Sequence, residues 1–165
     1  MLLETERLLL PPLDGRHTAA LAAIYADPEV ARYIGGDRLD AAGTAAQVAR
    51  FEEVWREYGF GQSAVLERAT GALIGRAGLH PWPAWDEVEL GYVLARAAQG
   101  RGYATEAARA WLDTAFDVLG LDRLTAVIHP DNGPSRALAE RLGFAVHRND
   151  VTPSGAPVVV YERFG

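Results

Sequence analysis

The segment Leu94-Ala95-Arg96-Ala97-Ala98-Gln99-Gly100-Arg101-Gly102-Tyr103-Ala104-Thr105-Glu106 ends a run of strand-like alternation and opens a helical pattern. A glycine-bearing junction of this kind can hold an anion. Backbone N–H groups at a helix start lack intrahelical acceptors, the macrodipole adds positive character, and Gly100 and Gly102 let the backbone approach a phosphate closely. Arg96 and Arg101 bring side-chain charge to the same place. A plain tight turn would explain the same glycines, so the reading depends on context. Two nucleotide-binding patterns are excluded by spacing. The sequence G-x-x-x-x-G-K-[ST] occurs nowhere, and a dinucleotide fingerprint would need Gly or Ala where Thr105 stands, with Asp122 ending a strand rather than beginning one.

Glu87 and Glu89 share one face of the strand Glu87-Val88-Glu89-Leu90-Gly91-Tyr92-Val93-Leu94, and either can serve as a general base or pair with a neighbouring arginine. Ser135 lies at a helix start in Gly133-Pro134-Ser135-Arg136-Ala137. That run approaches a hydrolase nucleophile elbow but lacks its second glycine and follows a five-residue loop. The four histidines, at 17, 80, 129 and 147, show no metal-ligand spacing, so no metal centre is expected. His80 can line a cleft. Trp82 and Trp85, set among Pro81 and Pro83, either receive an apolar or cationic ligand group or pin a loop to the core.

These groups must be positioned by regular elements. Arg7–Leu10 reads as a first strand stopped by Pro11-Pro12, and Asp14 caps a helix carrying Leu21, Ile24 and Tyr25. A short turn spans Glu29 to Ile34. Asp40 opens a longer helix in which Val48, Phe51, Val54, Trp55 and Tyr58 form a stripe ended by Gly59. Ser63–Leu66 and Leu73–Leu79 form a hairpin, His80 to Trp85 a loop, and Glu87–Leu94 a fourth strand. From Gly102, Ala108, Trp111, Leu112, Ala115, Phe116 and Leu119 make one helical stripe closed by Gly120. Leu124–Ile128 adds a strand, Pro134–Leu142 a helix with Gly143 as its cap, and Phe144–Arg148 with Val158–Glu162 a closing hairpin.

A chain of 165 residues, 49% hydrophobic and 23% charged, is expected to form one domain over residues 1–165. It lacks the roughly 20-residue apolar run of a spanning helix, which argues against a membrane partner. With no cysteine, disulfides and thiolate chemistry are removed, and a reducing, cytoplasmic setting is expected. The formal net charge of -6 argues against nucleic acid as a partner and leaves a cationic or amine substrate less repelled, although a site's local field can oppose the overall sign.

Gln99-Gly100-Arg101-Gly102-Tyr103-Ala104 resembles the Gln/Arg-x-x-Gly-x-Gly/Ala signature of the GNAT N-acetyltransferase superfamily. Asn132-Gly133-Pro134-Ser135-Arg136 through Arg141-Leu142-Gly143-Phe144 is similar to that family's second cofactor segment, an Asn-x-x-Ser helix ended by Leu-Gly-Phe. Thr5-Glu6-Arg7-Leu8, Asp27-Pro28-Glu29-Val30 and Glu89-Leu90-Gly91-Tyr92 resemble the branch of Rim-type enzymes that acetylate ribosomal-protein N-termini, although Pro11 stands where that branch often has arginine. The resemblance covers nearly the whole chain. It implies an α/β (α+β) fold: a single domain with a mixed, mostly antiparallel central sheet and helices on both faces.

The same resemblance implies acetyl-CoA as cosubstrate, lying across a V-shaped opening between the Glu87–Leu94 and Leu124–Ile128 strands. Its pantetheine would pair with Val93 and Leu94, and its pyrophosphate would sit on Gln99, Gly100, Arg101, Gly102, Tyr103, Ala104 and Thr105. Asn132 and Arg136 match positions near the pantetheine and phosphates, where an arginine suits a phosphate. A helix-capping Asn132 and a solvated Arg136 are the alternatives. Direct transfer to a primary amine needs a base, for which the branch places Glu89. A protein N-terminal α-amine, with pKa near 7.7–8.0, asks less of that base than a lysine near 10.4. The tyrosine that commonly serves as acid is replaced by Ala139, which leaves Ser135 as its substitute or as a simple helix cap. The acceptor is thus a peptide N-terminus or a small-molecule amine such as a polyamine, an antibiotic or an amino-acid-like compound; a catalytically silent acyl-CoA-binding protein is the rival, and a homodimer is as compatible as a monomer.

Overall fold

The computed structural model describes residues 1–34 and 39–165. Eight strands make one sheet: β1 (Leu3–Glu4), β2 (Leu8–Leu10), β3 (Gln62–Glu67), β4 (Leu73–Trp82), β5 (Glu87–Leu94), β6 (Arg123–Ile128), β7 (Ala145–Val151) and β8 (Pro157–Phe164), in the order β1-β2-β3-β4-β5-β6-β8-β7. Every neighbouring pair is antiparallel except β5 with β6. Those two parallel strands share a single registered pair, Glu89 with Thr125, and part beyond it. The sheet therefore forks. The expected V between these strands is present, and the fourth strand of the sequence reading is the fifth of the fold because Leu3–Glu4 forms a short edge strand.

Among the described residues, five helices cover the two faces: α1 (Thr18–Tyr25), α2 (Pro28–Ala31) and α3 (Ala41–Tyr58) on one, α4 (Tyr103–Asp113) and α5 (Gly133–Arg141) on the other. Alternation along β5 sends Val88, Leu90, Tyr92 and Leu94 to the α4/α5 core, where Trp111 is fully buried. Glu87, Glu89, Gly91 and Val93 fall on the opposite face, beside Trp82, His80, Gly78 and Arg76 of β4. Among the described residues, no helix is long and apolar enough to cross a membrane.

Side-chain caps set most helix starts as the sequence implies: Asp40 accepts from Gly43 N–H at 2.8 Å to begin α3, and Asn132 Oδ1 accepts from Ser135 N–H at 3.4 Å to begin α5. Asp14 caps a short 3-10 turn, Gly15–His17, before α1. Two expectations are corrected. His80–Trp82 is strand, not loop, because β4 runs through to Trp82 and only the following four residues turn. Pro81 is tolerated there since β3 has ended: Leu79 N–H bonds Gly61, and beyond it β4 is a local edge. The α4 stripe also leaves regular α-helix at Thr114, whose hydroxyl donates to Ala110 carbonyl at 2.8 Å, and a π-turn carries the chain to Gly120 at φ 66°.

Candidate active site

A groove of about 1180 Å³ passes through the fork and is open on both faces of the sheet. One limb lies over α4 and α5, lined by Leu94, Gln99, Gly100, Gly102 to Thr105, Asn132, Ser135 and Ala139. The other lies toward α1–α3, lined by Gln47, Phe51, Gln62, Arg76, His80, Trp82 and Glu89.

The first limb is built from backbone. Gly100 and Gly102 take φ 75° and 81°, so the turn into α4 demands the left-handed region. A Cβ on Gly100 would meet nothing, which makes conformation rather than space its requirement. Gln99 Nε2 donates to the Leu94 carbonyl at 3.1 Å and ties the loop back to the end of β5. No side chain caps α4, in contrast to α2, α3 and α5. Its first N–H groups, beside a groove, suit the oxygens of a pyrophosphate. This residue set fits a coenzyme A diphosphate, with Val93 and Leu94 on the β5 edge that β6 leaves unpaired.

The loop is braced from outside. Thr5 Oγ1 and the Arg7 amide both donate to Glu106 Oε1, at 2.6 and 2.8 Å, while the Arg7 guanidinium pairs with Glu106 Oε2 at 2.7 Å and donates to the Arg101 carbonyl at 2.9 Å. The same guanidinium covers the Tyr103 ring, whose hydroxyl donates to Glu67 at 2.7 Å, so Tyr103 offers the groove its backbone and not its phenol tip. Arg96 is bound by Asp27 at 2.6 Å. Arg101 sits at the exposed end of the loop. Arg136 donates to the Tyr161 hydroxyl at 2.9 Å and to the Pro130 carbonyl at 3.0 Å, whereas Arg141 lines the groove.

Glu89 occupies the fork itself. Its carboxylate accepts Trp82 Nε1–H at 2.7 Å and the Val127 backbone N–H, taking the place of a ladder bond between β5 and β6. Loss of hydration outweighs those donors and the nearby Arg76 charge, pushing the carboxyl up to about 7. Glu87, two residues earlier on the same face, has the opposite fate. Its side chain is 4% exposed and bound by Arg148 at 2.6 Å and Arg123 at 3.2 Å. Arg148 also covers the Trp85 ring, which stacks on Trp82, so both tryptophans are packed against this ion-paired corner.

Across the fork, Tyr92 hydroxyl donates to Ser135 Oγ at 3.1 Å. Burial and weak compensation raise the Tyr92 pKa above that of a free phenol. Ala139 is buried among apolar neighbours nearby. Tyr92 reads in the sequence as a strand residue and as the end of the Glu89-Leu90-Gly91-Tyr92 resemblance, with no role of its own; the signal that relates it to Ser135, 43 residues away, is three-dimensional. Arg76 and Arg141 were missed for the same reason. The groove is spanned on one side by Tyr33, whose hydroxyl donates to the Asp131 carbonyl at 3.1 Å and whose ring lies 5.1 Å from His129.

Comparison with known proteins agrees with this geometry. The acetyltransferase (GNAT) domain family matches residues 7–145. YkkB of Bacillus subtilis (strain 168), an uncharacterized protein, is 32% identical over 164 residues, covering 98% of this chain and 94% of its own. A crystal structure of the acetyltransferase from Agrobacterium tumefaciens str. C58 has a TM-score of 0.87 at 33% identity, covering 100% of this chain and 95% of that one. The ribosomal L7/L12 alpha-N-protein acetyltransferase RimL shares the fold at 18% identity, with a TM-score of 0.82 over 99% of this chain and 97% of its own.

Proposed function

The chain belongs to the GNAT acetyltransferase family, and from that premise we propose that it transfers the acetyl group of acetyl-CoA directly to a primary α-amine, of a peptide N-terminus or a small molecule, with Glu89 as base. The observation that carries this reading is the contrast at β5. Glu87 is neutralised by two arginines, while Glu89 faces the groove with no ion-pair partner among the described residues and its burial pushes the carboxyl up to about 7.

Acetyl-CoA supplies the thioester. The chain's own part begins with binding: the uncapped start of α4 and the turn at Gly100 and Gly102 take the diphosphate, and the unpaired edge of β5 at Val93 and Leu94 takes the pantetheine amides. Asn132 stays at the α5 start, where it orients Ser135. A base of pKa about 7 is matched to an α-amine of about 7.7–8.0, since little free energy separates the two proton holders. Glu89 takes the proton from the amine nitrogen. On the other side of the fork, Ser135 Oγ receives a hydrogen bond from Tyr92, so that as the serine proton passes to the sulfur the Tyr92 proton passes to Ser135 Oγ and no alkoxide is left. A leaving thiolate with pKa about 8.5 asks little of that acid, which is why Ala139 is tolerable in place of a tyrosine.

Release of free thiol from acetyl-CoA, measured with Ser- and Ala-starting peptides, amino acids, polyamines and aminoglycosides, tests the proposal. α-Amines should be turned over and their products should carry one acetyl group. Turnover confined to polyamines or aminoglycosides would overturn the α-amine assignment. Binding of acetyl-CoA with no transfer to any amine would replace the enzyme with an acyl-CoA-binding protein.

A further inference from the structure

Arg76 differs from most of the internally paired arginines around the groove; Arg136 is likewise held by neutral groups, the Tyr161 hydroxyl and the Pro130 carbonyl, but does not line the groove. Arg7, Arg96, Arg123 and Arg148 each hold a carboxylate. Arg76 instead donates Nε–H to the Tyr25 hydroxyl at 2.6 Å and Nη1–H to Gln62 Oε1 at 2.9 Å, with the Phe51 ring 5.2 Å from its central carbon. All three partners are neutral. Among the described residues, no carboxylate pairs with it, and two of its five N–H donors account for every hydrogen bond it makes. A guanidinium that is drawn into a groove and fixed by neutral groups keeps its charge available for an anion.

The sheet register shows what lies between Arg76 and the base. On the α1–α3 face, successive cross-strand rows are Arg76 with Val93, Gly78 with Gly91, and His80 with Glu89. The middle row has no side chains. Gly78 is obligatory because a Cβ there would come within 2.2 Å of the Gly61 carbonyl, and a Cβ on Gly91 would come within 3.2 Å of Glu89 Oε1. The Glu89 carboxyl therefore leans over Gly91, while the Gly61–Gln62 backbone closes on Gly78, and Arg76 stands one row further along. One wall thus offers a proton acceptor and the other a fixed cation.

We propose that the acceptor is a zwitterion, a primary amine carrying a carboxylate a few bonds away, bound with its amine at Glu89 and its carboxylate on Arg76. This rests on the preceding assignment of Glu89 as base. A polyamine or aminoglycoside would place positive charge beside the guanidinium, so the local field selects against polycations even though the molecule is net acidic. The carboxylate has two sources, the main chain of a free amino acid or an acidic side chain near a peptide N-terminus.

The test compares wild-type kcat/KM, at saturating acetyl-CoA and corrected for each amine's own ionisation, on three arms: free amino acids, their α-amides, and C-terminally amidated dipeptides with Asp or Asn second. Carboxylate-bearing acceptors should exceed their neutral counterparts by roughly 10- to 100-fold. In R76Q that ratio should fall to about one through a raised KM for the carboxylate forms alone, with R76K intermediate. Acetyl-CoA affinity of the variants reports that they remain folded. A larger ratio in the free amino acid arm assigns a small-molecule acceptor, and a larger one in the dipeptide arm a peptide. Equal turnover of acid and amide by the wild type, or a uniform loss across all acceptors in R76Q, overturns the proposal while leaving acetyl transfer intact. No thiol release with any amine overturns the acetyl-transfer reading as well.

Discussion

The two limbs of the groove are made in different ways. The α4/α5 limb is a backbone device: two left-handed glycines, an uncapped helix start and an unpaired strand edge, all within residues 93–105. The α1–α3 limb is a side-chain device assembled from α3, β3, β4 and β5, where Gln62, Arg76, His80 and Glu89 meet through sheet register. Backbone recognition suits a constant ligand, since any sequence that keeps the turn keeps the site. Side-chain recognition can change one residue at a time, which suits the variable partner of the reaction. Substitutions in the two limbs should therefore separate cleanly in kinetic behaviour.

The largest separation is expected at Glu89. E89Q should lower kcat by about 10²- to 10⁴-fold while acetyl-CoA affinity, read by calorimetry, stays within about twofold. For the wild type, kcat/KM should rise with pH through an apparent pKa near 7 as the carboxyl ionises. Stability should move the other way. The folded-state pKa of about 7 lies above the ordinary 4.5, so the folded protein binds the extra proton and stability declines as pH climbs from about 4.5 to 7. E89Q removes that decline, and its melting temperature should exceed the wild type's at pH 8 but not at pH 4, by on the order of 1–3 kcal/mol in stability. An unchanged kcat in E89Q would remove the base from this residue.

Glu87 is the control two residues away. E87Q takes one carboxylate from Arg123 and Arg148 and should cost about 1–3 kcal/mol of stability, less than a fully buried pair because both arginines reach solvent and keep Glu162 and Asp150. Its kcat should stay within about twofold of wild type. If chemical denaturation shows no loss but kcat collapses, the roles of the two glutamates are reversed.

The backbone limb is probed at Gly100, where an added side chain meets no atom and only the φ of 75° is penalised. G100A should cost roughly 1–2 kcal/mol, divided between stability and acetyl-CoA binding, so the dissociation constant should weaken by at most about 5- to 30-fold with the acceptor KM little changed. Equal weakening for acceptor and acetyl-CoA would show that the limbs are not separable.

The same division explains what could be read from the sequence. The glycine turn into α4 was legible because Gln99 to Thr105 are contiguous and a glycine-bearing strand–helix junction marks a turn by local rules alone. The helix cap at Asp40 was legible for a similar reason, since capping acts over three residues, whereas at Asn132 capping was only the alternative to a cofactor contact. Arg76, Tyr92 and Arg141 were not, because what defines each is a neighbour far along the chain or the absence of one. Glu87 and Glu89 were indistinguishable as a local pattern and are told apart only by Arg123 and Arg148, which β6 and β7 bring to one of them. The extension of β4 through Pro81 was hidden as well, since proline reads as a breaker until β3 is seen to have ended.

The smallest effects belong to the pair that bridges the limbs. Tyr92 and Ser135 come from β5 and α5 and meet at 3.1 Å beside the fork, at the boundary between the backbone-built limb and the side-chain-built one. Because the departing thiolate is stable near its pKa of about 8.5, S135A and Y92F should each lower kcat by no more than about tenfold, and the double variant by little more than either single one. The loss should shrink as pH rises above about 8.5, where the sulfur needs no proton, and this trend separates proton delivery from simple packing. A pH-independent loss in S135A, or losses that multiply in the double variant, would make the pair a structural clasp for α5 and confine proton chemistry to Glu89.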